Sequence, residues 1–584
     1  MINIKEDKEL NILNHSCAHL MAQAIRHLYP EAKFWVGPVI DEGFYYDMDL
    51  NGAVITDADL ERIEKEMHKI AKDGKRIVRH EISKKEALEM FKGDPYKIDL
   101  INDMPKDEII SCYTQGDFTD LCRGPHIESV KELKYFKLLK FSGSYYKGDA
   151  KNKPLQRIYG VAFYKQEDLD KYMADLQDAK ERDHRKLGKD LEIFMTSDLV
   201  GKGLPMYLPK GATLRRELDR YITDKEIAHG YLHVTTPSVG SVELYKTSGH
   251  WEHYKDDMFP AMQLDDEAYV LRPMNCPHHM MIFKNSLHSY RDLPIRIAEI
   301  ANDFRFEASG AVKGIERARS FTQNDSHIFC RPDQIGSEFK EVLDLIMEVY
   351  KDFNITDYKC RLSLRDPNDK NDKYFKDDDM WNNAENDLRE VLNELHVDYY
   401  EAVGEAAFYG PKLDVLVKPA VGPEVALSTI QLDFLLPRRF ELTYVDENGN
   451  KVTPVVIHRA ILGSLDRFIA FLLEETKGVL PVWLAPVQAT IIPVNNKYHF
   501  DYAKEVETEL QKAGMRVELD SREEKVGYKL REIVIHKVPY ILILGDKERD
   551  AKTISFRKYG SEETETLSVK DFVKMINKQI ENKD

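Results

Sequence analysis

The sequence predicts an α+β protein built from several domains, and three observations lead there. Its 584 residues exceed what a single hydrophobic core supports, so about three or four domains are expected. Strand-type alternation, as in Phe321, Gln323, Asp325 and His327 at spacing two, stands beside helix-type apolar runs such as Leu465–Phe468. Near the C-terminus, strand and helix patterns follow each other in turn.

Taken in order, residues 1–165 mix both patterns, and His15–Tyr29 reads as an amphipathic helix. Residues 166–190 are densely charged and predict one solvated linker helix. A large block covers 191–478, and the prolines of LPVWLAPVQ mark its end. Residues 486–584 predict a small α/β domain with a largely parallel sheet, from ATIIPV, YAKEVETELQKAGM, RVELD, KVGYKLREIVIHK and YILILGDKE. No internal repeat or low-complexity segment interrupts the order.

Composition narrows the class. With 42% hydrophobic and 32% charged residues, the chain reads as soluble and globular. No apolar run approaches the roughly 18 residues that span a bilayer, and the charged start MINIKEDKELN is unlike a secretory signal. Six cysteines without a CxxC pair suit thiols used singly in a reducing cytoplasm. A net charge of −17 argues against indiscriminate DNA coating, yet leaves room for RNA binding through local basic patches.

The segment from Phe304 to His327 is the richest in chemistry. Arg305 and Glu307 lead into a turn at Ser309 and Gly310, and Arg317 and Arg319 lead out of it. Guanidinium forks at such a turn suit a polyphosphate; a solvated hairpin face is the plainer alternative. Two further motifs follow the same logic of order: MNCPHH at Met274–His279 and HRAILGSLDRF at His458–Phe468. The FRxE hairpin and the GSLDRF run resemble motifs 2 and 3 of the class II aminoacyl-tRNA synthetases. With TQNDSHIFC, MNCPHH and IHRA they resemble the threonyl-tRNA synthetases in particular, from about His15 to Lys558.

That resemblance implies a class II antiparallel sheet core flanked by helices, an N-terminal α+β editing domain and a C-terminal α/β anticodon-binding domain. Members often begin with a small ubiquitin-like domain, whereas here only about ten polar residues are expected before the editing block. It further implies that Arg305 meets the α-phosphate of ATP and the attacking carboxylate, and that Arg317 holds the distal phosphates. Phe321 and Arg467 would sandwich adenine, with magnesium accompanying ATP. Cys276, His327 and His458 would hold one zinc, although a histidine beside a strand is more often structural. Asp325, Tyr409 and Gln431 would line the threonine pocket, Gln323 would hold the carboxylate end, and His250 would assist transfer to the terminal ribose or else be a solvated loop histidine.

Serine fits any site that binds a hydroxyl, and losing one methyl costs only about 1–3 kcal/mol, so a second, hydrolytic site follows. His15 and His19 lie four apart on a helix, hence on one face, and Cys122 and His126 share that spacing. These four are chemically a complete zinc set, while the family resemblance implies water positioned without metal, with Lys97, Asp120 and Tyr46 nearby. Glu548 and Arg557 match anticodon-reading positions, whereas Glu523 stands where some members have asparagine. Pro237, in HVTTPSV, resembles motif 1 and implies a homodimer. Expected partners are tRNA, threonine and ATP. A non-catalytic tRNA-binding paralogue and a metal hydrolase centred on His15 and His19 are the rival classes.

Overall fold

The computed structural model describes residues 2–105, 108–149, 151–370 and 373–584. The chain forms two compact units, Met1–Asp178 and Ala179–Asp584. The first is organised by the helix Lys8–Leu28, which Asp7 caps by accepting hydrogen bonds from the Glu9 and Leu10 amides. Its apolar face, with Leu13, Cys17, Leu20 and Ala24, is buried. That face packs with residues of an antiparallel sheet that includes Gly43–Asp49, Pro154–Phe163 and Tyr135–Tyr145. A second sheet pairs Ile77–Ile82, Ile110–Gln115 and Phe118–Leu121, also antiparallel.

The linker expectation needs correction. Residues 166–190 form two helices, Gln166–Arg182 and His184–Asp190, rather than one. Asp183 breaks the run: its ψ of 117° is not helical, and its carboxylate accepts from the Arg185 amide to start the second helix.

The second unit is built on an eight-stranded sheet. Its strands are β1 (Leu232–His233), β2 (Ile295–Phe304), β3 (Ser320–Cys330), β4 (Tyr358–Leu364), β5 (Tyr399–Val403), β6 (Lys412–Val417), β7 (Val425–Asp433) and β8 (Val455–Ala460). The spatial order is β1-β2-β3-β8-β7-β6-β4-β5. The inner strands run antiparallel, and only the edge strands β1 and β5 join parallel to their neighbours. One face is the core: Ile328, Ile457, Ile430 and Leu413 pack with Phe339, Val342 and Ile346 of the helix Ile335–Asp352, and with Phe468 and Leu472 of the helix Leu465–Thr476. Because side chains alternate, the opposite face of the same strands is free to carry polar groups.

The C-terminal sheet differs from the expectation in one respect. Val517–Leu519, Ala489–Pro493 and Tyr540–Leu544 are parallel, but Thr553–Lys558 and Glu565–Ser568 extend the sheet antiparallel. The sheet is mixed, because Thr553–Lys558 and Glu565–Ser568 form a hairpin ahead of the last helix, Val569–Asn582, where the strand-helix-strand crossovers give way. Among the described residues, no helix is long and apolar enough to cross a membrane.

Candidate active site

Strand register assembles the polar face of the central sheet. His327 on β3 lies opposite His458 on β8, and His458 lies opposite Gln431 on β7. Directly opposed residues of antiparallel strands point the same way, so the three form one transverse row. Further along β3, Asp325 faces Glu299 and Phe321 faces Asp303, both on β2. Cys276 begins the helix Cys276–Lys284 and packs with Phe329, Val456 and Tyr409 of this face. Donor atoms of Cys276, His327 and His458 lie within 4.8 Å of one another, and all three side chains are buried.

These residues fit a metal. The Nε2 atom of His458 is 2.7 Å from Asp433 Oδ2, which fixes the ring and leaves Nδ1. Nδ1 of His327 is 2.8 Å from Nδ1 of His279, whose Nε2 reaches Glu299 at 3.2 Å. His327 Nε2 is thereby left buried with no hydrogen-bond partner, a costly state that a metal ion relieves. An imidazole whose second nitrogen is held by an imidazole or carboxylate is the usual outer arrangement of a metal ligand. One thiol and two imidazoles leave a zinc open to substrate.

The surroundings are acidic and dry. Burial, together with the neighbouring Asp303 charge, pushes the Asp325 carboxyl up to about 8. Burial likewise pushes Asp303 up to about 7, against the pull of Arg272. The Tyr409 hydroxyl donates to Gln431 Oε1, and its ring stacks on His458 with centroids 4.8 Å apart. His250 is no solvated loop residue: it is fully buried, its Nε2 lies 3.6 Å from Cys276 Sγ, and its Nδ1 lies 2.8 Å from Ser248 Oγ. Burial and the nearby His458 hold its pKa down to about 3, so the ring is neutral.

A cationic cluster borders this pocket. The Arg305 guanidinium sits 5.1 Å from the Phe321 ring centroid. Arg317 pairs with Glu307 at 2.8 Å, and Arg467 Nε donates to the Glu316 carbonyl at 3.2 Å. Partial burial and the Arg305 and Arg317 charges hold Arg467 below its usual pKa. The Leu465–Thr476 helix is tied to β3, since the Thr322 amide donates to Asp466 at 2.7 Å and the Asn324 amide to the Gly463 carbonyl at 2.9 Å. Gln323 bridges to Ser464 beside them.

The N-terminal unit holds a second cluster. Cys122 Sγ is 3.2 Å from His15 Nε2 and 3.3 Å from His126 Nε2, while Ser16 Oγ is 3.0 Å from His126 Nδ1. His15 and His19 share a helix face, with ring centroids 5.5 Å apart. Cys122 and His126 meet across a loop rather than a helix. Gly124 turns that loop at φ +68°, and a β-carbon there would fall 2.1 Å from the Tyr113 hydroxyl. Behind them Lys97 and Asp120 form a buried ion pair at 2.6 Å, and the Tyr46 hydroxyl donates to Asp120. Burial lowers the pKa of His15, His19 and His126 and pushes the Cys122 thiol up to about 12.

Comparison with known proteins is decisive here. The chain matches the tRNA synthetase class II core domain (G, H, P, S and T) over residues 258–476 and the anticodon binding domain over 488–579. It also matches the threonyl and alanyl tRNA synthetase second additional domain over 110–159. It is 59% identical over 573 residues to a threonine–tRNA ligase of Geobacillus sp. (strain WCH70), covering 98% of this chain and 89% of that protein. The chain belongs to the threonine–tRNA ligase family. Another relative, the threonine–tRNA ligase of Acholeplasma laidlawii, is 56% identical and covers all of this chain and 91% of its own length. Among solved structures, the RNA binding domain of threonyl-tRNA synthetase from Cryptosporidium parvum aligns with a TM-score of 0.65 at 37% identity. That alignment covers 68% of this chain and 98% of that one.

In this threonine–tRNA ligase family member the class II match contains Cys276, His327, His458, Arg305, Arg317 and Arg467, while His250 lies just outside it. The second-additional-domain match contains Asp120, Cys122 and His126, while His15, His19 and Lys97 lie outside it. Glu548 has both carboxylate oxygens engaged internally, by the Gly545 amide at 2.8 Å and Ser555 Oγ at 2.7 Å. Arg557 donates to Thr564 Oγ1 at 3.0 Å. Sequence reasoning missed His279, Glu299 and Asp433. The doublet in MNCPHH was a visible signal for His279, whereas Glu299 and Asp433 acquire their roles only through strand pairing.

Proposed function

We propose that this threonine–tRNA ligase activates threonine on the polar face of the central sheet and clears seryl-tRNA at the N-terminal cluster. The observation that supports it most is the row His327, His458 and Gln431, with Cys276 packed against it, together with the mutually close Arg305, Arg317 and Arg467.

Cys276, His327 and His458 would hold zinc. Bound there, zinc would supply a Lewis acid for a substrate with both an amino group and a hydroxyl, a pairing valine lacks. The protein does the rest by position and charge. Arg305 holds the α-phosphate and the threonine carboxylate for in-line attack, and Arg317 holds the distal phosphates of a magnesium-bound ATP. Phe321 and Arg467 offer an aromatic face and a guanidinium plane to adenine. Gln323 steadies the carboxylate, Asp325 accepts from the substrate amine, and Tyr409 and Gln431 close the side-chain pocket. His250, neutral at its site, is the group available to accept a proton during transfer to the terminal ribose.

In the N-terminal unit, His15, His19, Cys122 and His126 orient water against a seryl ester, and the Lys97–Asp120 pair meets its charge. The domains would be 1–165 for editing, 166–190 for the linker, 191–478 for catalysis and 486–584 for the anticodon, where Glu548 and Arg557 would read bases. A homodimer is supported by the outermost strand β1, whose Leu232 is 62% exposed beside the motif 1 residue Pro237. A cytoplasmic location suits the six unpaired cysteines.

ATP–pyrophosphate exchange over three amino acids tests the reading. Threonine and serine should both support exchange and valine should not. Exchange with valine at a rate comparable to serine would contradict the pocket chemistry.

A further inference from the structure

The loop between β2 and β3 bears Arg305 and Arg317, and its returning limb makes a tight turn. The Lys313 and Arg317 backbones hydrogen-bond to each other, N to O, at 3.0 and 3.2 Å. At the corner of that turn Gly314 has φ +51°, and a β-carbon there would lie 2.4 Å from His184 Nε2. His184 belongs to the second linker helix and is fully buried. Its Nδ1 is held by Glu474 Oε1 at 2.7 Å, and Glu474 also accepts from the His184 amide at 3.2 Å. Its Nε2 has no hydrogen-bond partner and faces the glycine.

Glu474 lies seven residues beyond Arg467 on the same helix, and so on the same face two turns away. The helix therefore meets one turn of the phosphate-binding loop at two points. Arg467 holds the Glu316 carbonyl, and Glu474 holds the imidazole on which Gly314 rests.

We propose that His184 is a positioning residue for ATP. Anchored by Glu474, its ring is the floor that sets the height of the 313–317 turn, and with it the placement of Arg317. The inference rests on the reading of Arg317 as a phosphate ligand. A displacement of such a loop by about an ångström is enough to change catalysis up to a hundredfold.

The test is a double-mutant cycle read by ATP–pyrophosphate exchange, with Arg317→Ala as a reference. His184→Ala should raise the KM for ATP about tenfold while the KM for threonine stays within about twofold, since the threonine pocket is not touched. Gly314→Ala, at a half-buried turn, should raise the KM for ATP at least as much by collision with the ring. Combining the two removes the collision with the ring and leaves only the 2.9 Å approach to Arg185 Cγ, so the double variant should bind ATP better than Gly314→Ala alone. Additive effects of the two substitutions, or equal changes in the two KM values, would overturn the role of His184 while leaving the arginine reading intact. An unchanged KM for ATP in Arg317→Ala would instead overturn both.

Discussion

In the central sheet, Cys276, His327 and His458 point their donor atoms at a common centre while outer partners hold the rings from behind. In the N-terminal unit, His15, Cys122 and His126 spend their donor atoms on each other. The residue types are nearly the same, and both sets are compact enough for a metal. The difference lies one layer out. Asp433 and the His279–Glu299 pair fix the first set and leave His327 Nε2 without a partner. In the second, Cys122 Sγ is engaged by His15, His126 and the Gly124 amide. Among the described residues no carboxylate hydrogen-bonds a ring of this set from behind, although Ser16 holds His126 and His19 Nδ1 is likewise buried without a partner. A set of potential ligands therefore says less about metal than the groups that orient it.

The comparison predicts that the two sites fail independently. The largest effect is expected at the arginines. Arg305→Ala or Arg467→Ala should lower threonine-dependent pyrophosphate exchange by about a hundred- to a thousandfold, because each meets charge that develops in the transition state. Deacylation of preformed seryl-tRNA by the same variants should continue. Near-normal exchange by either would remove it from the phosphate site.

A smaller effect should come from the outer layer. Asp433→Asn keeps the shape but weakens the hold on His458, and metal affinity measured by chelator competition should fall about 10- to 100-fold. An unchanged affinity would mean that His458 is oriented by other contacts. Smallest of all should be the consequence for activation of changing the second cluster. His15→Ala with His19→Ala should leave threonine exchange within a few-fold of normal, yet seryl-tRNA should accumulate. Seryl-tRNA cleared at the parental rate would show that hydrolysis happens elsewhere.

Much of this was legible where the signal is local. The period-two row Phe321, Gln323, Asp325 and His327 lies on one strand, and His15 with His19 lies on one helix face. Residues far apart in sequence were joined only by motif resemblance, because His327 and His458 meet through strand register and Cys276 through the packing of its helix, and no spacing encodes either. The same limit hid Glu299 and Asp433, ordinary carboxylates until pairing puts them behind imidazoles. Two misreadings had visible cues. Asp183 is a helix-capping residue inside the charged linker, and TISFRK and ETLS carry the alternation of a hairpin that the helix-strand pattern around them obscured.

Metal content of the purified protein and two variants tests the contrast most directly. The native chain should hold one zinc, His15→Ala with His19→Ala should retain it, and Cys276→Ser should lose it together with threonine activation. Two zincs per chain, or one that survives Cys276→Ser and departs with the histidine pair, would contradict the assignment of the metal to the central sheet.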